Sequence, residues 1–99
     1  MVKEVIWSPL ATETFDAIVD YIFTNFGKPA AVKFVQTVEA KLTLIKTRPK
    51  MFRRSGKKPN TFITIIHKRT TLTYRYRPIK KRIELVVFWG MQNPATKPQ

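Results

Sequence analysis

Residues 71–89 read TLTYRYRPIKKRIELVVFW, and this stretch decides the fold. Its first seven residues, Thr71 to Arg77, alternate strictly. Leu72, Tyr74 and Tyr76 fall on one face, and Thr71, Thr73, Arg75 and Arg77 on the other. That period of two is the signature of a strand with one buried face. Pro78 to Lys81 reads as a turn. RIELVVFW, Arg82 to Trp89, is nearly all apolar, as expected of a strand with neighbours on both sides. Just upstream, TFITIIHKR (Thr61 to Arg69) is rich in β-branched residues and reads as a third strand. Three strands joined by short links pair antiparallel.

Toward the N-terminus the period changes. KEVIW, Lys3 to Trp7, is a short β run. Ser8 can cap a helix whose first turn holds Pro9. Apolar residues then recur at Phe15, Ile18, Val19, Ile22, Phe23 and Phe26, in the steps of three and four that make one helical stripe. Gly27 can stop that helix in a left-handed conformation. A second helix starts at Pro29, with the stripe Ala31, Phe34, Val35, Val38, Leu42 and Ile45, and ends before Pro49. Both stripes need one sheet face to bury against. The expected fold is α+β: an N-terminal strand, then an antiparallel two-helix hairpin packed on one face of a small, mainly antiparallel four-stranded sheet. Residues 1–99 form one domain, with a basic loop at 48–60 and a C-terminal tail at 93–99. The other sheet face is left open, with Arg75 and Arg77 on it.

Charge points to the partner. The chain carries 19 Lys and Arg against 6 Asp and Glu, for a net +13. Residues 48–82 hold thirteen of the cations and no acid, while the rest of the chain is balanced. Ordinary surfaces intersperse both signs. A one-signed block points to a polyanionic partner: nucleic acid, a ribosomal surface, an acidic peptide or a membrane headgroup layer.

Several function classes are excluded or disfavoured. The chain has no cysteine and one histidine, and its acids lie mostly on the helices. A metal site is therefore not expected, nor any other cofactor. Gly27, Gly56 and Gly90 stand alone, so there is no glycine-rich phosphate loop. His67 has no acid in its own strand region to complete a serine triad. No secretory h-region is visible in MVKEVIWSPL, and LVVFW is far short of the ~20 residues of a membrane helix. A cytoplasmic protein without membrane association is expected.

What remains is a sheet bearing Arg, Lys, Tyr and one His, a set suited to RNA. Arginine forks grip phosphates bidentately. Cations can also stabilise the added charge of a phosphorane-like transition state, with the RNA 2′-hydroxyl as nucleophile. Arg75 and Arg77 are the candidates for that role. His67 is a proton carrier by residue type, or a structural strand residue sharing a face with Ile63 and Ile65. Tyr74 and Tyr76 can stack on bases but fit a core face better. Arg53, Arg54, Lys57, Lys58, Lys68, Arg69 and Arg82 are candidate nucleic-acid contacts.

These residues, in this order, resemble the RelE/ParE toxin family of bacterial type II toxin–antitoxin systems. VIWSPLATETFDAIVDYI resembles the family's opening strand and helix, and PAAVKFVQTVEAKLTLIKTRP its second helix and closing proline. LTYRYR resembles its tyrosine–arginine strand, and VVFWGMQNP its terminal strand and tail. The likeness covers nearly the whole chain and implies the helical hairpin on an antiparallel sheet already read. It also implies a growth-arresting toxin held inactive by a cognate antitoxin, here an acidic one that could neutralise residues 48–82. RelE-like members cut mRNA in the ribosome with sheet and loop Lys and Arg. ParE-like members poison DNA gyrase and are not nucleases. Ribosome-dependent mRNA cleavage is the first expectation. A gyrase poison, or a degenerate toxin serving as an RNA-binding module, is the alternative. By that resemblance Arg75 matches the tyrosine–arginine strand, Lys57 and Lys58 lie on the cationic approach to the second strand, and Met91 stands where relatives carry a tail arginine.

Overall fold

A computed structural model of the chain describes residues 2–56, 58–67 and 69–90. Lys57, Lys68 and Met91, with the rest of the tail, lie outside the described residues. The elements run β1 (Glu4–Trp7), α1 (Pro9–Phe26), α2 (Lys28–Thr47), β2 (Arg53–Arg54), β3 (Thr61–His67), β4 (Thr70–Arg77) and β5 (Arg82–Trp89). They form one five-stranded sheet in the order β1-β5-β4-β3-β2. β1 pairs parallel to β5, and the other pairings are antiparallel. The expected architecture holds, with one correction: the sheet has five strands, not four. The added strand is the two-residue β2 inside the basic loop, where Arg53 pairs with Ile63 and Arg54 with Phe62. Two successive arginines carry no β signal of their own, so only the neighbouring β3 edge makes this segment a strand.

The core lies between the helical hairpin and one sheet face. Ala11, Ile18, Phe34, Val38 and Ile45 from the helices meet Phe62, Ile66, Leu72, Tyr74, Ile83, Leu85 and Phe88. Each fully buried large side chain contributes roughly 1.5–3 kcal/mol. Trp7 closes one side of this core, its ring 5.1 Å edge-on from Phe15 and 5.4 Å from the stacked ring of Phe88. Gly27 ends α1 and starts α2 at φ 90°, where a side chain would be strained.

A bulge explains how the near-continuous apolar run of β5 chooses its faces. Thr73 pairs with Val87 but Tyr74 with Leu85, so Val86 is an extra residue. Ile83 and Leu85 point inward, the phase shifts at Val86, and Phe88 points inward again. A bulge leaves backbone groups unpaired, and each must find another partner. Ser8 Oγ donates to Val86 O (2.8 Å) while accepting from Ala11 N as the α1 cap (2.9 Å). Thr14 Oγ1 accepts from Phe88 N (3.0 Å) and donates to Leu10 O (2.7 Å). These two hydroxyls fix α1 against β5 and so fix which face stays open.

The same contacts set how far α1 reaches. Ser8 N bonds Leu85 O and Thr14 meets Phe88, so α1 runs alongside β5. It then continues about 18 Å from Thr14 to Phe26, at about 1.5 Å per residue, whereas β5 ends one residue after Phe88. Phe23 and Phe26, expected in the buried stripe, are 54% and 67% exposed for this reason.

Candidate functional site

The open face is best followed as rows across the sheet, because residues paired in register share a face. One row is Arg77, Arg82 and Glu4. The next is Thr61, Arg75, Glu84 and Ile6. Then come Arg53, Ile63, Thr73 and Val87, and last Ile65, Thr71 and Trp89. Two rows are therefore charged, and two are apolar or hydroxylic. Tyr74 is fully buried on the opposite face, and Tyr76 packs against the core, so neither is presented to a base.

The charged rows are mutually neutralised. Arg77 Nε lies 3.2 Å from Glu84 Oε1, and Arg82 Nη1 lies 3.7 Å from Glu84 Oε2. Arg82 Nε also donates to Glu4 Oε1 at 2.9 Å. One carboxylate thus holds two arginines, and Glu4 reaches Arg82 because β1 lies parallel against β5. Arg75, directly opposite Glu84 in register and half-buried, has no ion pair shorter than 4 Å among the described residues. Three arginines against two glutamates leave little excess charge on this part of the sheet. Other exposed cations lie around it: Arg53 and Arg54 on the edge strand β2, Arg48, Lys50 and Lys58 in the loops beside it, Arg69 in the β3–β4 turn, and Lys80 and Lys81 in the β4–β5 turn.

His67 is not part of this constellation. A register shift between Ile65 and His67 breaks the expected shared face with Ile63 and Ile65. The imidazole borders a groove beneath the projecting hairpin, lined by Ile22, Phe26, Ala30, Phe34 and Thr37. His67 pairs with Thr70 and Arg75 with Thr61, so the two sites are five residue steps apart along β4. At about 3.3 Å per residue that is roughly 17 Å. The structure brings Arg75, Arg77 and Arg82 together, with Arg53 one row away. It leaves His67 and Arg69 apart from them, while Lys58 sits in the loop whose next residues, Pro59 and Asn60, line a cleft with Arg75 and Arg77; Lys57, Lys68 and Met91 lie outside the described residues. Among the described residues no cluster of three His, Cys, Asp or Glu could hold a metal ion. Nor is any helix long and apolar enough to cross a membrane.

Glu84 and Glu4 are the residues that sequence reading missed. Each was visible as an isolated acid in or beside a strand, but their meeting with Arg77 and Arg82 depends on strand order. Tyr74 is the other determinant beneath the site. Its ring stacks on Phe62 at 5.5 Å, and its Oη donates to Pro49 O at 2.7 Å, pinning the end of α2 to the sheet. Burial pushes its phenol well above the ordinary tyrosine range.

A two-helix hairpin laid on one face of this sheet, with an arginine-bearing open face, defines the class of small toxin domains read above. The family model of the ParE toxin of type II toxin–antitoxin systems (parDE) matches residues 5–92, and the chain belongs to that family. Membership implies a cognate antitoxin as partner. A solved structure described as a chromosomal ParDE toxin–antitoxin system from P. aeruginosa superposes with a TM-score of 0.73 at 20% identity. It covers 91% of this chain and 96% of that one, a likeness of fold. Among curated proteins nothing matches.

Proposed function

We propose that this toxin acts in the cytoplasm by poisoning DNA gyrase through binding, not by cutting mRNA. The supporting observation is the separation on the sheet. The one imidazole lies roughly 17 Å along the strand from Arg75, and Arg77 is held by Glu84. An imidazole serving as general acid or base there would have to lie within about 3 Å of the group it serves, directly or through a water. The charged rows instead offer a fixed array of guanidinium and carboxylate groups, half-exposed and hydrogen-bonded, which suits recognition of a protein surface. Membership in the ParE family supports the same reading. The antitoxin's task would then be to cover this face, and an acidic one would also meet the loop cations.

Ribosome-dependent mRNA cleavage is the second reading, and one observation favours it. Arg75, on the tyrosine–arginine strand, has no ion pair shorter than 4 Å among the described residues and is free to take a phosphate. Short induction in cells separates the two. Gyrase poisoning gives DNA damage and filamentation with intact transcripts. Translation arrest with cleaved mRNA would replace the first reading by the second.

A further inference from the structure

Among the described residues, the most exposed large apolar side chain stands on the β4–β5 turn. Ile79 is 96% exposed. It follows Pro78 and is flanked by Arg77 on one side and by Lys80, Lys81 and Arg82 on the other, with no acid in the turn. The turn is rigidly built. Arg77 and Arg82 form the last pair of the ladder. Lys81 N donates to Pro78 O (3.2 Å), and Lys81 takes φ 52°. Lys81 O accepts from Lys3 N at 2.7 Å, which ties the turn to the start of β1 and brings a further cation beside it. Among the described residues Ile79 belongs to no part of the hydrophobic core, and an isoleucine left in water gains nothing by being there.

We infer that this turn is a DNA-binding wedge, with Ile79 entering between two base pairs of a duplex while Lys80 and Lys81, with Lys3 beside them, hold the neighbouring phosphates. An apolar tip between cations matches the layout of a base step between two phosphate backbones. The pre-formed turn keeps the ordering cost of binding low. Double-stranded DNA is favoured over single-stranded RNA because an unpaired base needs an exposed aromatic to stack on. Tyr74 and Tyr76, the aromatics of the adjoining strand, face the core. The inference goes beyond gyrase binding and does not depend on it. For a toxin acting where an enzyme holds DNA, such a wedge would add a direct grip on the nucleic acid.

The test uses purified full-length toxin freed of antitoxin and a short DNA duplex carrying 2-aminopurine at a central TA step, the step most easily unstacked. Neither gyrase nor ribosome is present, so failure of the gyrase reading leaves the result unaffected. The expected result is a rise in 2-aminopurine fluorescence on binding. Ile79→Ala should abolish that rise and weaken binding roughly tenfold, with the salt dependence unchanged. Ile79→Phe should restore it. Lys80→Ala should instead keep the rise and reduce the log–log salt slope by about 0.9. Because Ile79 is exposed, unchanged melting temperatures exclude a folding defect. Binding without a fluorescence change would overturn the inference. So would an Ile79→Ala variant indistinguishable from wild type, or tighter binding to single-stranded RNA than to the duplex.

Discussion

The two faces of β4 teach different lessons. On one, Leu72 and Tyr74 are fully buried and Tyr76 packs against the core. On the other, Arg75 is half-buried and Arg77 is exposed and shared with Glu84. The buried face holds the fold, and its side chains are expected to be intolerant of change. The open face holds charges in mutual balance, and its side chains are expected to be dispensable for folding. A strand with period two separates these tasks residue by residue, so neighbours in sequence should behave oppositely on substitution.

The largest expected effect is at Tyr74. Tyr74→Ala removes a stacked ring and leaves Pro49 O without its donor, and should cost about 3–5 kcal/mol. Chemical denaturation would show it, and a loss below about 1 kcal/mol would break the contrast between the faces. Next is Thr14→Val, which removes the hydroxyl that accepts from Phe88 N–H at the bulge and should cost about 1 kcal/mol. Tyr74→Phe keeps the packing and should cost only about 1 kcal/mol at neutral pH.

The same tyrosine gives a pH signature. Its folded pKa is raised, so its contribution is fully present below the unfolded value of about 10. Above that, the unfolded chain releases a proton that the folded protein keeps, and stability must fall as pH rises. Tyr74→Phe should flatten this alkaline limb, which denaturation at pH 8 and pH 11 would reveal. The smallest effect is on the open face. A double-mutant cycle on Arg77 and Glu84 should give a coupling of ~1 kcal/mol or less, as for other half-exposed pairs.

How much of this was legible in the sequence follows the range of the interactions. Local signals were clear: Ser8 and Pro9 at the start of α1, Gly27 between the helices, and the strict alternation of Thr71 to Arg77. The Val86 bulge was not legible, because Leu85, Val86, Val87 and Phe88 are all apolar and only the hydroxyls of Ser8 and Thr14, from another element, select its position. Exposure of Phe23 and Phe26 was hidden too, since a helical stripe records a face but not where the sheet beneath it ends. At the site, alternation placed Arg75 and Arg77 on the open face correctly. Their neutralisation was out of reach, because the Glu4–Arg82 contact spans 78 positions and forms only when β1 docks parallel to β5. The face on which His67 lies was not legible from strand period, which a register shift between Ile65 and His67 interrupts.

The most direct measurement is supercoiling by purified gyrase in the presence of wild-type toxin and of Arg75→Ala, with melting temperature taken on the same preparations. The expected result is inhibition by the wild type and a loss of at least roughly tenfold in Arg75→Ala, a difference of about 1.4 kcal/mol. Melting should stay within about 4 °C, as for a change near 0.5 kcal/mol in a domain of this size. Unimpeded supercoiling with the wild type, or a melting temperature that falls in step with inhibition, would contradict it.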